Sequence, residues 1–171
     1  GASSRNTGLS VSLPLVVETT GALALLVANA AFALGQVDAA RLGWSAFLVL
    51  TIAGERRELT RLVRLPAWAS KAFLLVWAGS VAAVLLALWQ PAVAVLIWWI
   101  TMALLAAWLL RWDVATRQWR AKGWAGHTAL CLVVGYVWLA VAAALGLADQ
   151  AIAWHALWLG FVMAMVFGHA P

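Results

Sequence analysis

The three histidines are the residues of this chain best suited to bind a metal, because neutral imidazole is the commonest protein ligand for haem iron and for copper. They are His127, His155 and His169. Fourteen residues separate His155 from His169, and in an uninterrupted α-helix this spacing gives about 40° of rotation and about 21 Å of rise. We therefore expect these two histidines to share a helix face without binding the same metal ion.

His127 has other potential partners. Cys131 follows it by four residues, which places both side chains on one helix face and adds a soft sulfur ligand for copper. If the helix that carries His127 lies antiparallel to the helix that ends at His169, the two histidines lie at similar depth. This arrangement predicts one haem or copper site shared by His127 and His169, with Cys131 one turn deeper. The residues leave open a simpler interpretation, in which each histidine is an interfacial or hydrogen-bonded residue.

Two polar residues interrupt the first apolar stretch of the chain, Glu18 and Asn29. Their spacing of eleven residues places them about 20° apart on one helix face. Polar groups inside a membrane are costly and mark functional or helix-packing positions. We expect this face, which also carries Ala22 and Leu25, to pack inside a helical bundle. The alternative is that Glu18 lies in the first helical turn, near the headgroups, where the helix dipole stabilises it.

The sequence contains no recognisable catalytic motif. It lacks a nucleophile elbow, a phosphate-binding glycine loop, an HExxH motif and a pair of carboxylates at catalytic spacing. Its single cysteine excludes an internal disulfide framework and a CxxC metal site. An enzymatic activity is therefore not expected from the residues alone.

The composition indicates an integral membrane protein. Hydrophobic residues make up 66% of the 171 residues and charged residues 10%, against about 45–50% and about 25% in an ordinary globular domain. Mean hydropathy is +0.96. A soluble domain of this size cannot bury so much apolar surface, and a disordered chain contains far less of it. We predict an all-α bundle in the lipid bilayer, with about six transmembrane helices.

Apolar stretches separated by charged clusters define the six predicted spans. The second is the shortest, because Gly54 is a natural stop after about 15 residues. The six spans cover residues 13–34, 39–53, 72–89, 92–110, 124–147 and 152–167.

The basic residues predict the orientation of these spans. In the six-span arrangement ten of the eleven Lys and Arg residues fall on one side, and only Arg41 falls on the other. Since cytoplasmic loops are enriched in Lys and Arg, both chain ends are expected in the cytoplasm. The net charge of +5 is then a topology signal, and no nucleic-acid partner is expected. Residues 55–65 are expected to form a short interfacial helix that Pro66 ends.

Several short segments resemble NnrS-like membrane proteins. They are IAGERREL at residues 52–59, RWDVA at 111–115, GYVWLA at 135–140, HALWLGF at 155–161 and GHAP at 168–171. The resemblance implies a haem- and copper-containing polytopic protein linked to nitric oxide metabolism, with His155 and His169 as the first haem ligands. Members of that family are longer, so further ligands are expected outside this chain.

The sequence leaves two other functions open. The protein could be a non-catalytic subunit of a larger respiratory or photosynthetic membrane complex, with its 13 tryptophans packed against other subunits, lipids or a pigment. It could also be half of a small transporter that uses Glu18 and Asn29. A single acid near the end of a span is weak support for a transport site, and no pair of broken helices accompanies it. In each case we expect the inner membrane of a bacterium.

Overall fold

The computed structural model describes residues 13–60 and 64–169, without the side chain of His169. Over these residues the chain is helical, with turns and without a β-strand. Five of the described helices are long and apolar enough to cross a membrane, and a shorter apolar segment covers Ala153–Gly168. The predicted all-α fold is therefore confirmed, and the helices are compatible with a membrane-spanning bundle.

Four of the predicted spans agree with the helices to within two residues, and the limits of the fifth agree exactly. The third was misplaced, because its helix covers Ala67–Leu86 instead of residues 72–89. Pro91 opens one helix at a position where a missing N–H costs nothing. Gly35 and Gly123, with φ of 78° and 76°, lie in the turns that precede two others. The helices are α1 Leu13–Ala33, α2 Val37–Leu59, α3 Ala67–Leu86, α4 Pro91–Trp112, α5 Ala115–Gln118, α6 Trp124–Leu147, α7 Ala153–His155, the π-helix π1 Ala156–Val162 and α8 Met163–His169.

Helix α2 is longer than predicted, because Gly54 does not stop it. A Cβ atom at Gly54 would lie 2.7 Å from Cγ of Glu18 and 3.2 Å from the carbonyl oxygen of Pro14, so this glycine permits close packing of α1 on α2. Residues 55–59 are the last turn of α2, and the prediction of a separate interfacial helix there is wrong. Residues 61–63 lie outside the described part, and Pro66 precedes α3 instead of ending a helix.

The buried face of α1 lies beside the predicted one. Asn29 and Ala22 are exposed and Glu18 is half-buried, so the expected Glu18–Asn29 packing face is wrong. Small side chains decide the contact, because they let the two backbones approach closely: a Cβ atom at Gly43 of α2 would lie only 2.7 Å from Cβ of Ala28. The face of α1 that is buried consists of Pro14, Val17, Gly21, Ala24, Ala28 and Ala31.

Helix α6 and the segment α7–π1–α8 are antiparallel neighbours, as predicted for the fifth and sixth spans. A Cβ atom at Gly135 would lie 2.2 Å from Cε of Met165, and one at Gly168 would lie 3.2 Å from Cβ of Cys131. The end of α8 therefore packs beside the first turns of α6.

A π-helix interrupts the segment that was predicted as one continuous helix. The amide of Met163 bonds the carbonyl of Trp158, five residues earlier, so this turn contains one residue more than an α-turn. The extra residue rotates the rest of the helix by about 100° relative to an uninterrupted α-helix. The face predicted for His155 and His169 assumed an uninterrupted helix; because the side chain of His169 lies outside the described part, that shared face stays a prediction.

The two basic segments meet at one end of the bundle, which we call the basic end. There the indole Nε1 of Trp108 donates to the carbonyl of Ala69 over 2.8 Å, and the rings of Trp68 and Trp112 are 5.5 Å apart. Among the Lys and Arg residues in the described ranges, Arg41 alone lies at the opposite end. This is the charge distribution that the positive-inside argument predicts.

Candidate functional site

His155 lies on a groove at the end of the bundle opposite the basic end. The groove has a volume of about 400 Å³, and His155 is exposed in it. We call this the aromatic groove, and it is lined by Arg41, Ala151, Trp154, His155, Trp158 and Leu159.

Hydrogen bonds and ring contacts hold the walls of the aromatic groove in place. Nε1 of Trp158 donates to Oγ of Ser45 over 2.8 Å, which ties π1 to α2. The guanidinium carbon of Arg41 lies 4.6 Å from the ring centroid of Trp154, and that ring packs 4.8 Å from Trp99. Arg41 also pairs with Asp38 at 2.7 Å. The groove is therefore preformed, with one cation fixed at its edge.

The residues of the aromatic groove fit a haem group. A histidine nitrogen is one of the protein ligands that hold haem iron. Flat apolar side chains pack against a planar ring, and a cation pairs with carboxylates such as the haem propionates. His155 offers the nitrogen, Trp154 and Trp158 offer the walls, and Arg41 offers the cation. The Nε atom of Arg41 is buried and has no hydrogen-bond partner among the described residues. The volume also lies in the range of about 300–1,000 Å³ that is usual for cofactor pockets.

His127 and Cys131 lie together at the basic end, far from His155. Nε2 of His127 is 3.7 Å from Sγ of Cys131, so the predicted proximity of this pair is confirmed. The histidine is exposed and its ring lies 5.3 Å from that of Trp124. The side chain of His169 lies outside the described part, so the site that it would share with His127 stays a prediction. Within the described ranges, no three His, Cys, Asp or Glu residues form a metal-binding group.

The structure does not bring Glu18 and Asn29 together. They lie three turns apart on α1, about 16 Å along its axis. Oδ1 of Asn29 accepts a hydrogen bond from Nε1 of Trp44 over 3.0 Å, which satisfies both groups on an exposed surface. Glu18 packs its methylene groups against Gly54. Both residues therefore contact α2 from beside the buried face of α1.

Three buried residues at the basic end were not predicted as site residues. Arg56 in the last turns of α2 is 4% exposed, Asp113 directly after α4 is 2% exposed, and Tyr136 of α6 is fully buried. We call these three residues the buried polar cluster. Arg56 and Asp113 lie in segments that we interpreted as basic loops, where charged residues normally face water, and Tyr136, the one tyrosine of the chain, lies inside an apolar span.

Asp113 links the turn after α4 to the helices around it. Its Oδ1 accepts a hydrogen bond from the amide of Ala115 over 2.7 Å, and its carbonyl accepts one from Oγ1 of Thr116. Arg56 forms an ion pair with Glu55. The other carboxylate oxygen of Asp113, Oδ2, and the hydroxyl of Tyr136 are buried without a hydrogen-bond partner of good geometry in the described residues.

Burial raises the pKa of Asp113, because the charged carboxylate is desolvated. The amide of Ala115, the charge of Arg56 and the hydroxyl of Tyr136 favour the carboxylate and oppose this rise, while the charge of Glu55 adds to it. The desolvation effect is the largest, so the neutral carboxylic acid is favoured relative to an exposed aspartate.

A cavity of about 440 Å³ leads to Asp113 from the surface of the basic end. Gln118 and Ala125 are exposed at its edge, and Asp113 and Arg56 are buried in its wall. We call it the basic-end cavity, and its lining comprises Glu55, Arg56, Leu59, Asp113, Val114, Ala115, Gln118, Ala125, Thr128, Ala129 and Leu132.

Comparison with known proteins assigns a family to the chain. No curated protein and no solved structure matches it. Residues 7–171 match the family described as Domain of unknown function (DUF8744). Because this match covers nearly the whole chain, the protein belongs to the DUF8744 family.

Proposed function

We propose that this protein is a membrane-embedded haem protein in which His155 would hold the haem iron. The observation that carries the proposal is the position of an exposed histidine on a preformed groove between two tryptophans, with Arg41 at its edge. A haem that one histidine ligates leaves a coordination position open to a diatomic molecule such as nitric oxide. The resemblance of residues 155–161 to NnrS-like proteins supports a role in nitric oxide metabolism.

Copper is the second cofactor that we propose, at the other end of the bundle. The 3.7 Å separation of Nε2 of His127 and Sγ of Cys131 supports a copper ion held by one nitrogen and one sulfur ligand. His169 is the further candidate ligand, because Gly168 packs against Cys131.

We also propose that the chain crosses the inner membrane of a bacterium six times, with both ends in the cytoplasm. The sixth crossing is the segment α7–π1–α8, which is shorter than the other five. The position of Arg41 apart from the other described basic residues supports this orientation.

An absorption spectrum tests the haem proposal directly. The protein is purified in detergent after expression with a haem precursor, and we expect a Soret band. The variant His155→Ala should lose the band, and Arg41→Gln should weaken haem binding. His127→Ala is the matched control, because it removes an exposed histidine outside the aromatic groove and should keep the band.

The same experiment contains the outcomes that contradict the proposal. A colourless wild-type protein, or a Soret band that persists in His155→Ala, would exclude His155 as the axial ligand. A pigment spectrum, or copurification of other membrane proteins with a colourless chain, would favour a non-catalytic subunit of a larger complex. Copper content that is unchanged in Cys131→Ser would remove the copper proposal.

Cysteine labelling tests the topology. In a Cys131→Ser background, single cysteines at Lys71 and Gln118 of the basic end should react only from the cytoplasm. A cysteine at Gln36, an exposed residue of the opposite end, should react only from outside. Labelling of positions 71 and 118 from opposite sides would contradict the six-span arrangement.

A further inference from the structure

Four basic side chains follow one another along the segment that connects α4 to α6, and all four are exposed. We call residues 111–122 the basic turn, and its basic residues are Arg111, Arg117, Arg120 and Lys122. The one acid of this segment, Asp113, is 2% exposed. The exposed surface of the basic turn therefore presents positive charge without an acidic side chain among it.

The arginines of the other basic segment at this end are used within the protein. Arg56 is 4% exposed and pairs with Glu55. Arg57 donates to Oγ1 of Thr60 over 3.0 Å and to Oγ of Ser70 over 3.3 Å, which ties the end of α2 to α3. The four basic side chains of the basic turn, in contrast, form no hydrogen bond or ion pair with residues 13–60 or 64–169. Their charges are therefore available to a partner.

Two tryptophans hold arginines of the basic turn in place. The guanidinium carbon of Arg111 lies 4.4 Å from the ring centroid of Trp112, and that of Arg120 lies 4.4 Å from the ring centroid of Trp119. This contact uses the ring face and the positive charge, so the N–H donors of each guanidinium are left for hydrogen bonds. Because these side chains are already ordered, an anion that binds them immobilises less side-chain freedom.

The tryptophans also indicate the depth of the basic turn in a membrane. Indole rings are enriched at the level of the lipid headgroups. Trp68, Trp119 and Trp124 are exposed at this end of the bundle, and the ring of Trp68 lies 5.5 Å from that of Trp112. In the membrane crossing proposed above, the arginines beside these rings lie level with the phosphate groups of the adjacent leaflet.

We propose that the basic turn binds the headgroup of an anionic phospholipid. The guanidinium groups of Arg111 and Arg120 donate to the phosphate oxygens, whose geometry matches paired N–H donors. Arg117 and Lys122 add positive charge around the headgroup. The exposed Leu110 beside Arg111 offers an apolar surface to the acyl chains, which a free phosphate ion lacks. The inference rests on the proposed membrane crossing and is independent of haem and copper.

Lipid binding to the full chain in detergent tests the proposal. The protein is titrated with phosphatidylglycerol or with phosphatidylcholine of the same acyl chains, and native mass spectrometry counts the bound lipids. We expect tighter binding of phosphatidylglycerol. Arg120→Gln should weaken it about fivefold, which corresponds to the contribution of about 1 kcal/mol per basic residue near an anionic membrane surface. Lys71→Gln, which removes an exposed charge of the same end outside the basic turn, is the matched control and should bind like the wild type.

A conservative variant separates a headgroup site from general attraction between charges. Arg120→Lys keeps the charge but loses the paired donors, so it should bind phosphatidylglycerol more weakly than the wild type. The proposal is overturned if the two lipids bind equally, if Arg120→Gln binds like the wild type, or if Lys71→Gln loses as much affinity. Displacement of the lipid by inorganic phosphate would also overturn it, because the site would then belong to a soluble anion. The labelling of Gln118 described above tests the membrane crossing separately, so the two failures are distinguishable.

Discussion

The aromatic groove and the buried polar cluster lie at opposite ends of one bundle, and they differ in how far their polar residues are exposed to solvent. In the groove His155 is exposed between aromatic rings, and its cation, Arg41, already has an ion-pair partner at the surface. In the cluster Arg56, Asp113 and Tyr136 are almost completely buried. The groove resembles a preformed ligand site, whereas the cluster is part of the contact between helices.

This difference predicts how substitutions act. A side chain that is exposed in a groove contributes to ligand binding more than to folding, because its removal leaves no unpaired buried group. A buried charged residue contributes to both, because its removal leaves its neighbours desolvated and without a counterion. Substitutions at the two ends therefore separate binding from stability.

Arg56→Leu should have the largest effect on stability. It removes the positive charge that favours the carboxylate of the buried Asp113 and the ion-pair partner of Glu55. Because Glu55 is exposed, the loss should be smaller than the cost of breaking a fully buried ion pair, which is about 3–5 kcal/mol. The free energy of unfolding in mixed detergent micelles measures this effect. Arg111→Leu is the control, since an exposed cation–π contact contributes about 0.5–1 kcal/mol, and equal losses in the two variants would remove the distinction between buried and exposed arginines.

Asp113→Asn should abolish a pH dependence of stability. Because the folded state has the raised pKa, it binds the proton more tightly than the unfolded state, so the stabilisation is complete below the unfolded value of 3.8 and is lost as the pH rises through the folded pKa. Thermal melting across this range should show a fall in wild-type Tm that the variant lacks. A variant with an unchanged slope would assign the dependence to other acids.

Trp158→Phe should have a smaller effect, with a consequence for the groove. It removes the hydrogen bond to Ser45, which contributes about 1 kcal/mol to the free energy of unfolding, and it loosens the wall beside His155. Ser45→Ala removes the same bond from the other side, so the double variant should lose no more than either single one. Additive losses would show that the bond does not form.

His155→Ala should have the smallest effect on stability, a change of less than about 0.5 kcal/mol, because the side chain is exposed. The same chemical denaturation series without haem measures it. A large loss would indicate that His155 is a structural residue and would weaken the contrast between the two ends.

The apolar stretches of the sequence predicted most of the helices, because a long apolar segment in a membrane satisfies its backbone hydrogen bonds by forming a helix. The limits of α6 follow from Gly123 and the apolar run after it. The end of α2 did not follow, since Gly54 is equally suited to a helix end and to close packing, and only its contact with α1 distinguishes these roles. The prediction of the buried face of α1 was wrong for a similar reason. The polarity of Asn29 suggested a packing position, whereas the small side chain of Ala28 forms the close contact with α2.

The candidate sites were predicted only in part. Histidine chemistry pointed to His155 without its groove, because Arg41 comes from a distant segment and the ring of Trp158 is positioned by a hydrogen bond to Ser45 of α2. The buried polar cluster joins residues from α2, the turn after α4 and α6, and long-range contacts of this kind leave no local pattern. The π-helix was also beyond prediction, since its extra residue is as apolar as its neighbours.

The π-helix also affects the membrane beside the aromatic groove. The segment of residues 153–169 has 17 residues. The extra residue of the π-helix widens one turn and adds little length. The axis of the whole segment is therefore about 24 Å long. The hydrocarbon core of a bilayer is about 30 Å thick. If this segment is the sixth crossing that we propose, lipids next to it would compress or the segment would sit closer to one surface, and either adjustment would bring the groove at its start nearer to water. A ligand from the aqueous phase would then reach His155 without crossing the hydrocarbon core.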